Sequence, residues 1–200
     1  MRVLGLTGGM GMGKSTLAQG FRRARIPVFD ADAEVHRLYA PGGAAVAPVA
    51  AAFPGVRDAK GGIDRARLRA AIAAAPGALA RLEAIIHPLV RRAEAAFLAR
   101  ARRAGAPIAV LDIPLLLETG GAKRVDSVLV ASAPRDIQAH RLRLRRRMSP
   151  AEIAAVLARQ MPDQAKRRAA DHVIRTGLSR RVAQAQQRRL IHHLRTKATP

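Results

Sequence analysis

Apolar residues follow one another along this chain in two rhythms. Short unbroken runs read as buried strands of a parallel sheet. They are Val3-Leu4 with Leu6, Ile26 to Phe29, Pro107 to Asp112, Val125 to Ala131, and His172 to Ile174. Between the runs, apolar positions recur at helical spacing. Leu17, Ala18 and Phe21 follow the first run, and Val35, Leu38 and Tyr39 follow the second. Helical pattern then continues to about Arg103, punctuated at Pro41-Gly42-Gly43, Pro54-Gly55, Lys60-Gly61-Gly62 and Pro76-Gly77. Leu79, Leu82, Ile85 and Ile86 form an apolar stripe. Pro88 is expected to open the next helix, because proline is tolerated in a first turn. Asp136 to Arg147 reads as a helix. Ser149-Pro150-Ala151-Glu152 starts another, with a serine cap, proline first and glutamate third. That helix is expected to run to about Met161, with Pro162 ending it. Ser179 starts a C-terminal helix, and the last residues, 196–200, read as frayed.

Strands alternating with helices predict an α/β fold with a five-stranded parallel sheet between helical layers. Seventy helical residues are too many for one crossover, so residues 33–103 are expected to form an inserted helical domain. The arginine-rich helix and its successor, joined by a Met148-Ser149 turn, suit a lid over 138–165. The core is then 1–32, 104–137 and 166–200.

The charge changes the picture. Lysine and arginine number 36 against 14 acidic residues, a formal +22. Such a field attracts polyanions, nucleic acid included. Four phenylalanines, one tyrosine and no tryptophan leave few stacking platforms for bases. The field suits an enzyme of small phosphorylated substrates, so no specific nucleic-acid partner is expected. There is no cysteine, which excludes disulfides and thiolate metal sites and fits a cytoplasmic location. The first strand begins at Arg2-Val3, leaving no room for a signal peptide. No apolar run approaches a membrane span. The histidines are scattered and lack the spacing of a zinc site.

The chemistry starts at Gly8-Gly9-Met10-Gly11-Met12-Gly13-Lys14-Ser15, which fits G-x-x-x-x-G-K-S. It stands between a strand and a helix, the context a phosphate loop needs. Its glycines can expose backbone N–H groups to a polyphosphate, and the helix start adds unpaired donors. Lys14 reaches the β- and γ-phosphates, and the Ser15 hydroxyl serves Mg²⁺. With Thr16, residues Gly8 to Ser15 form the expected ATP site. Asp30 and Asp32 close the second run, at a strand end expected beside the loop's own strand. One of them can cap the following helix. Asp112 closes the third run, where an aspartate serves Mg²⁺ or caps a helix. The arginines at 135, 141, 143, 145, 146 and 147 make either a solvated face or a lid that closes on phosphates.

Taken together, these residues resemble the dephospho-coenzyme A kinases. The likeness runs through Gly5 to Ser15, Pro27 to Asp32, Leu82 to Val90, and Pro114 to Glu118. It continues through Gln138 with Arg141-Leu142, Gln160-Met161-Pro162 with Lys166, and Ala170-Asp171 with Val173-Ile174. Leu117 departs from it, where phenylalanine is usual, as do Ala73 and Arg175. The resemblance implies transfer of the ATP γ-phosphoryl to the ribose 3′-hydroxyl of dephospho-CoA, with Mg²⁺ accompanying ATP. Lys14, Asp32 and Arg141 are then catalytic, Asp32 orienting the attacking hydroxyl. Arg141, Arg145 and Arg175 join the ATP side. Asp32, His87, Pro114, Leu115 and Glu118 face the acceptor, within a CoA-binding insert. A monomer or weak homo-oligomer is expected. Two other readings stay open: a kinase of this fold acting on a nucleotide or another small alcohol, and a basic NTPase that binds nucleic acid.

Overall fold

The structure, a computed structural model, describes residues 1–146, 149–158 and 160–196, with the backbone alone at 145, 146, 150, 155 and 156. It contains a five-stranded sheet in the order β2-β3-β1-β4-β5. The strands are β1 (Arg2–Thr7), β2 (Val28–Asp30), β3 (Ile108–Asp112), β4 (Ser127–Ser132) and β5 (His172–Arg175). β1 pairs in parallel with β3 and with β4, and β4 with β5. The five predicted strands are therefore all present.

Their order corrects one expectation. β3, not β2, lies beside the strand that feeds the phosphate loop. Burial gives the reason. β3 is buried at every position, whereas β2 has three residues with only Phe29 buried, and β5 keeps only Ile174 buried. A continuously apolar strand needs neighbours on both sides, and the short, half-polar runs suit the edges.

Two aspartates fix where β4 and β5 begin. The Asp126 carboxylate accepts from Val3 N–H at 2.7 Å, while its own N–H donates to the Val3 carbonyl at 2.9 Å. Asp171 repeats this one strand along, accepting from Val128 N–H at 2.8 Å and donating to the Val128 carbonyl at 3.0 Å.

α1 (Lys14–Arg23) lays Leu17, Ala18 and Phe21 on one face of the sheet, against Leu4, Leu6, Val110 and Leu129. α9 (Arg180–Thr196) completes that layer with Leu190, Ile191 and Leu194. Gln187 on α9 donates to the Leu17 carbonyl at 2.7 Å, over Gly20, where an added Cβ would collide with its amide. Leu116 packs with Val128 and Val130 in a separate cluster.

Between β4 and β5 come α6 (Arg135–Arg146), α7 (Pro150–Ala158) and α8 (Asp163–Arg168). At α7 the reciprocal cap is in place: Ser149 N–H donates to Glu152, and Glu152 N–H donates to Ser149 Oγ. α7 stops at Ala158, short of the expected Met161, and α8 starts straight after Pro162. Asp163 in its first turn accepts from Ser132 Oγ at 2.8 Å, a tertiary contact that propensity alone does not announce. The turn expected at Met148-Ser149 and the tail beyond Thr196 fall at least partly outside the described residues.

The chain divides into two compact units, one of residues 1–29 with 100–200, the other of residues 30–99. The second unit holds α2 (Ala31–Tyr39), α3 (Val46–Ala52), α4 (Arg65–Ala74) and most of α5 (Ala78–Arg103). Its core gathers Leu38, Val49, Phe53, Ile63, Leu68 and Leu82. Aspartates start two of its helices, α2 and α4. Asp30 accepts from Ala33 N–H, and Asp64 accepts from Ala66 and Arg67 N–H. Asp58 closes the predicted Lys60-Gly61-Gly62 turn by accepting from Lys60 and Gly62 N–H. Pro88 corrects a second expectation, because it lies inside α5 instead of opening a helix. The apolar stripe runs on through Leu82, Ile86, Leu89 and Val90. Burial of that stripe carries the helix past the one N–H donor that proline lacks.

Candidate active site

The turn after β1 depends on two glycines. Gly11 and Gly13 have φ of +80° and +87°, a region that side chains with a Cβ rarely adopt. At Gly13 a Cβ would also lie 3.0 Å from Thr176 Oγ1. Gly13 caps α1, accepting from Leu17 N–H. Gly8 sits so close to β4 that a Cβ would meet the Ala131 carbonyl at 2.8 Å. Met12 is an anchor between them. Its side chain is 4% exposed within the core, and its sulfur accepts from Ala133 N–H at 3.1 Å. The Met12 carbonyl accepts from Thr176 Oγ1 at 2.5 Å. A methionine at a variable motif position gave no sign of this in the sequence.

Lys14 opens α1 and forms an ion pair with Asp112. Asp112 is level with Leu6 across the β1–β3 ladder, and its side chain is only 3% exposed. The two residues were assigned separately, to phosphate and to metal, and the fold brings them together. Ser15 is exposed in the first turn of α1, and Thr16 N–H turns back to the Gly13 carbonyl at 3.1 Å.

Arg141 on α6 also reaches the loop. One guanidinium nitrogen donates to the Gly11 carbonyl at 3.3 Å and Thr176 Oγ1 at 3.2 Å, and the other donates to the Thr176 carbonyl at 2.5 Å. Gln138, one turn earlier, donates to the Met10 carbonyl at 2.7 Å. Met10 N–H in turn donates to Gln160 at 3.1 Å. Neither glutamine has a role that local pattern reveals. The side chain of Arg145 lies outside the described residues.

On the other flank, Thr7 Oγ1 donates to the Pro114 carbonyl at 2.8 Å. Leu115 is exposed, and Leu116 is buried beneath Gly5. Glu118 accepts from Lys166 Nζ at 2.6 Å, and the Lys166 side chain is 2% exposed. A buried ammonium needs such a partner. Arg175 ends β5, exposed, its N–H donating to Gln186. A cavity of about 1160 Å³ opens between these parts, lined by Gly9, Met12, Pro134, Gln138, Arg175 and Leu178 among others.

Asp32 and His87 belong to the unit of residues 30–99. Asp30 provides the cap of α2, which leaves Asp32 exposed in the first turn. His87 is exposed on α5 just before Pro88. In the same unit Arg65 lies against the His36 ring at 3.1 Å. Burial raises the Tyr39 hydroxyl pKa above its ordinary value, with the charge of Arg65 opposing.

A family model described as dephospho-CoA kinase matches residues 2–180. The chain belongs to the dephospho-CoA kinase family. A protein named dephospho-CoA kinase from Mesorhizobium japonicum is 53% identical over 98% of both chains. A solved protein from Thermus thermophilus is 31% identical, with a TM-score of 0.86 over 96% of both chains. The dephospho-CoA kinase of Campylobacter jejuni, 20% identical, shares the fold at a TM-score of 0.74 over 98% of both chains. The fold class expected from the strand and helix rhythm and from the glycine-lysine motif, an α/β P-loop NTPase fold with a five-stranded parallel sheet, is thereby established. Among the described residues, no helix is long and apolar enough to cross a membrane.

Proposed function

We propose that this chain transfers the γ-phosphoryl of ATP to the ribose 3′-hydroxyl of dephospho-CoA, giving CoA and ADP in the cytoplasm. The observation that carries the reading is the Lys14–Asp112 pair at the mouth of a glycine-built phosphate loop, in a chain of this family. Phosphoryl transfer asks little covalent chemistry of a protein; positioning and charge stabilisation do most of the work. Backbone N–H groups of the loop from Gly8 to Lys14 face the triphosphate, apart from those of Met10 and Met12, which donate to Gln160 and the Gly9 carbonyl, and Lys14 moves from Asp112 toward the β- and γ-oxygens. Ser15 and Asp112 offer hard oxygen donors, which fit Mg²⁺. Bound with ATP, that ion supplies neutralising charge at the phosphates.

Asp32 orients the acceptor hydroxyl. In a loose transition state early deprotonation is unnecessary, so holding the hydroxyl in line is its main work. His87, Pro114 and Leu115 contact the acceptor, from the helical insert and the turn after β3. Glu118 is engaged by Lys166 and shapes that turn. Arg141, with Arg145, adds positive charge from the 138–165 lid, and Arg175 lies toward the adenine. The +22 charge steers two polyanionic substrates without a specific nucleic-acid partner. The protein works as a monomer or weak homo-oligomer.

A substrate panel read by ADP release, with and without Mg²⁺, tests the reading. Dephospho-CoA is expected to exceed every nucleoside monophosphate and every other small alcohol, with turnover dependent on the metal. Preference for another acceptor overturns it.

A further inference from the structure

The tip of the phosphate loop is gripped from two sides by amide groups. Gln138 Nε2, on α6, donates to the Met10 carbonyl at 2.7 Å. Gln160 Oε1, two residues beyond the end of α7, accepts from Met10 N–H at 3.1 Å. One contact needs a donor and the other an acceptor, and a primary amide supplies either. The segment that leaves the loop at Gln138 thus returns to the same residue at Gln160.

Two further observations show that the grip is built. Gln138 is 5% exposed, and a buried amide is costly unless bonded. Gly9 leaves room for both side chains. A Cβ there would lie 2.8 Å from Gln160 Oε1 and 3.1 Å from Gln138 Nε2. Gly9 is absent from the positive-φ residues, so its backbone does not itself demand glycine. The space over it is kept for the two amides. Met10 stands between Gly9 and Gly11, in the part of the loop with the most conformational freedom to lose.

We propose that Gln138 and Gln160 are positioning residues that clamp the Met10 backbone through its carbonyl and its N–H, holding the phosphate loop preformed for a nucleoside triphosphate and tying it to the α6–α7 arm. A loop already ordered before binding loses less entropy when the triphosphate arrives. The inference rests on the reading of the chain as an ATP-dependent kinase.

The test titrates the full chain with ATP and Mg²⁺ by calorimetry, without acceptor. Failure of the clamp and failure of the acceptor assignment are therefore seen in different assays. Gln138→Leu and Gln160→Leu are each expected to weaken ATP binding about three- to tenfold, the range of one lost hydrogen bond. The double variant is expected to be no weaker than the weaker single one, because both hold the same residue, Met10, and losing either contact frees it. The acceptor KM stays within about twofold. ATP binding within twofold of wild type in folded single variants overturns the proposal, as do fully additive losses. If the leucine variants do not fold, Gly9→Ala decides. Its Cβ displaces both amides without backbone strain, so the same loss of ATP binding is expected, and unchanged binding overturns the clamp.

Discussion

Lys14 and Asp112 close an ion pair between the first turn of α1 and the last residue of β3. The phosphate-loop cation is thus held in place while its carboxylate partner is almost fully buried. Replacing Lys14 with methionine removes the positive charge and leaves that carboxylate without its ammonium. The expected result is a fall in kcat of about 10²–10³-fold. Breaking a buried pair from one side also lowers stability, here by about 3 kcal/mol. Steady-state kinetics and urea unfolding measure the two effects.

Asp32→Asn separates positioning from folding. The side chain is exposed and Asp30 makes the cap, so the unfolding midpoint is expected to stay within a degree or two. ATP binding also stays, whereas phosphoryl transfer to dephospho-CoA falls about 10²–10⁴-fold. Near-normal turnover removes Asp32 from the mechanism.

Arg141 spans Gly11 and Thr176 with the planar fork of its guanidinium. A lysine keeps the charge but cannot span both partners. Arg141→Lys is expected to weaken ATP affinity about tenfold. Wild-type affinity in that variant shows that charge alone is used.

Gly13→Ala forces a Cβ into a left-handed conformation and against Thr176. The backbone term alone costs about 1–2 kcal/mol. A lower unfolding midpoint and weaker ATP binding are expected together, since the same turn caps α1 and faces the phosphates. Thermal unfolding with and without ATP checks both.

Asp64 gives a pH signature. Hydrogen bonds from Arg67 and then Ala66 N–H hold its carboxyl below the ordinary aspartate value. A lowered folded-state pKa means that the cap stabilises fully above the unfolded value, about 3.9. That stability is lost as pH falls through the folded value. Asparagine keeps the acceptor oxygen and abolishes the titration. The thermal midpoint of Asp64→Asn should therefore decline less steeply than wild type below about pH 4. Parallel declines show that Asp64 does not contribute.

What could be read before the structure was whatever depends on near neighbours in the chain. The phosphate loop, the five strands, the Ser149–Glu152 cap and the family all follow from local pattern. What escaped depends on distant pairings. The position of β3 beside β1 is decided by which run must be buried on both sides. Pro88 is carried inside α5 by burial of a stripe that outlasts it. Met12 reads as filler until Ala133 and Thr176 arrive from more than a hundred residues away. Gln138 and Gln160 are polar residues at the surface of any helical wheel until Met10 lies between them. Lys14 and Asp112 had roles in the sequence, but only the β1–β3 ladder makes them partners.

The aspartates that precede β4 and β5 put the fold's ruler at the edge of the sheet opposite the chemistry. Each carboxylate fixes the height at which one strand starts against its neighbour. A slip of one residue would move every side chain of the strand to the opposite face of the sheet. From those starting points the registers follow, with Thr7 level with Val130 across β1 and β4, and Ser132 level with Arg175 across β4 and β5. An alanine at Asp126 or Asp171 would leave all the groups around the phosphate loop in place by name, and blur the level at which they stand.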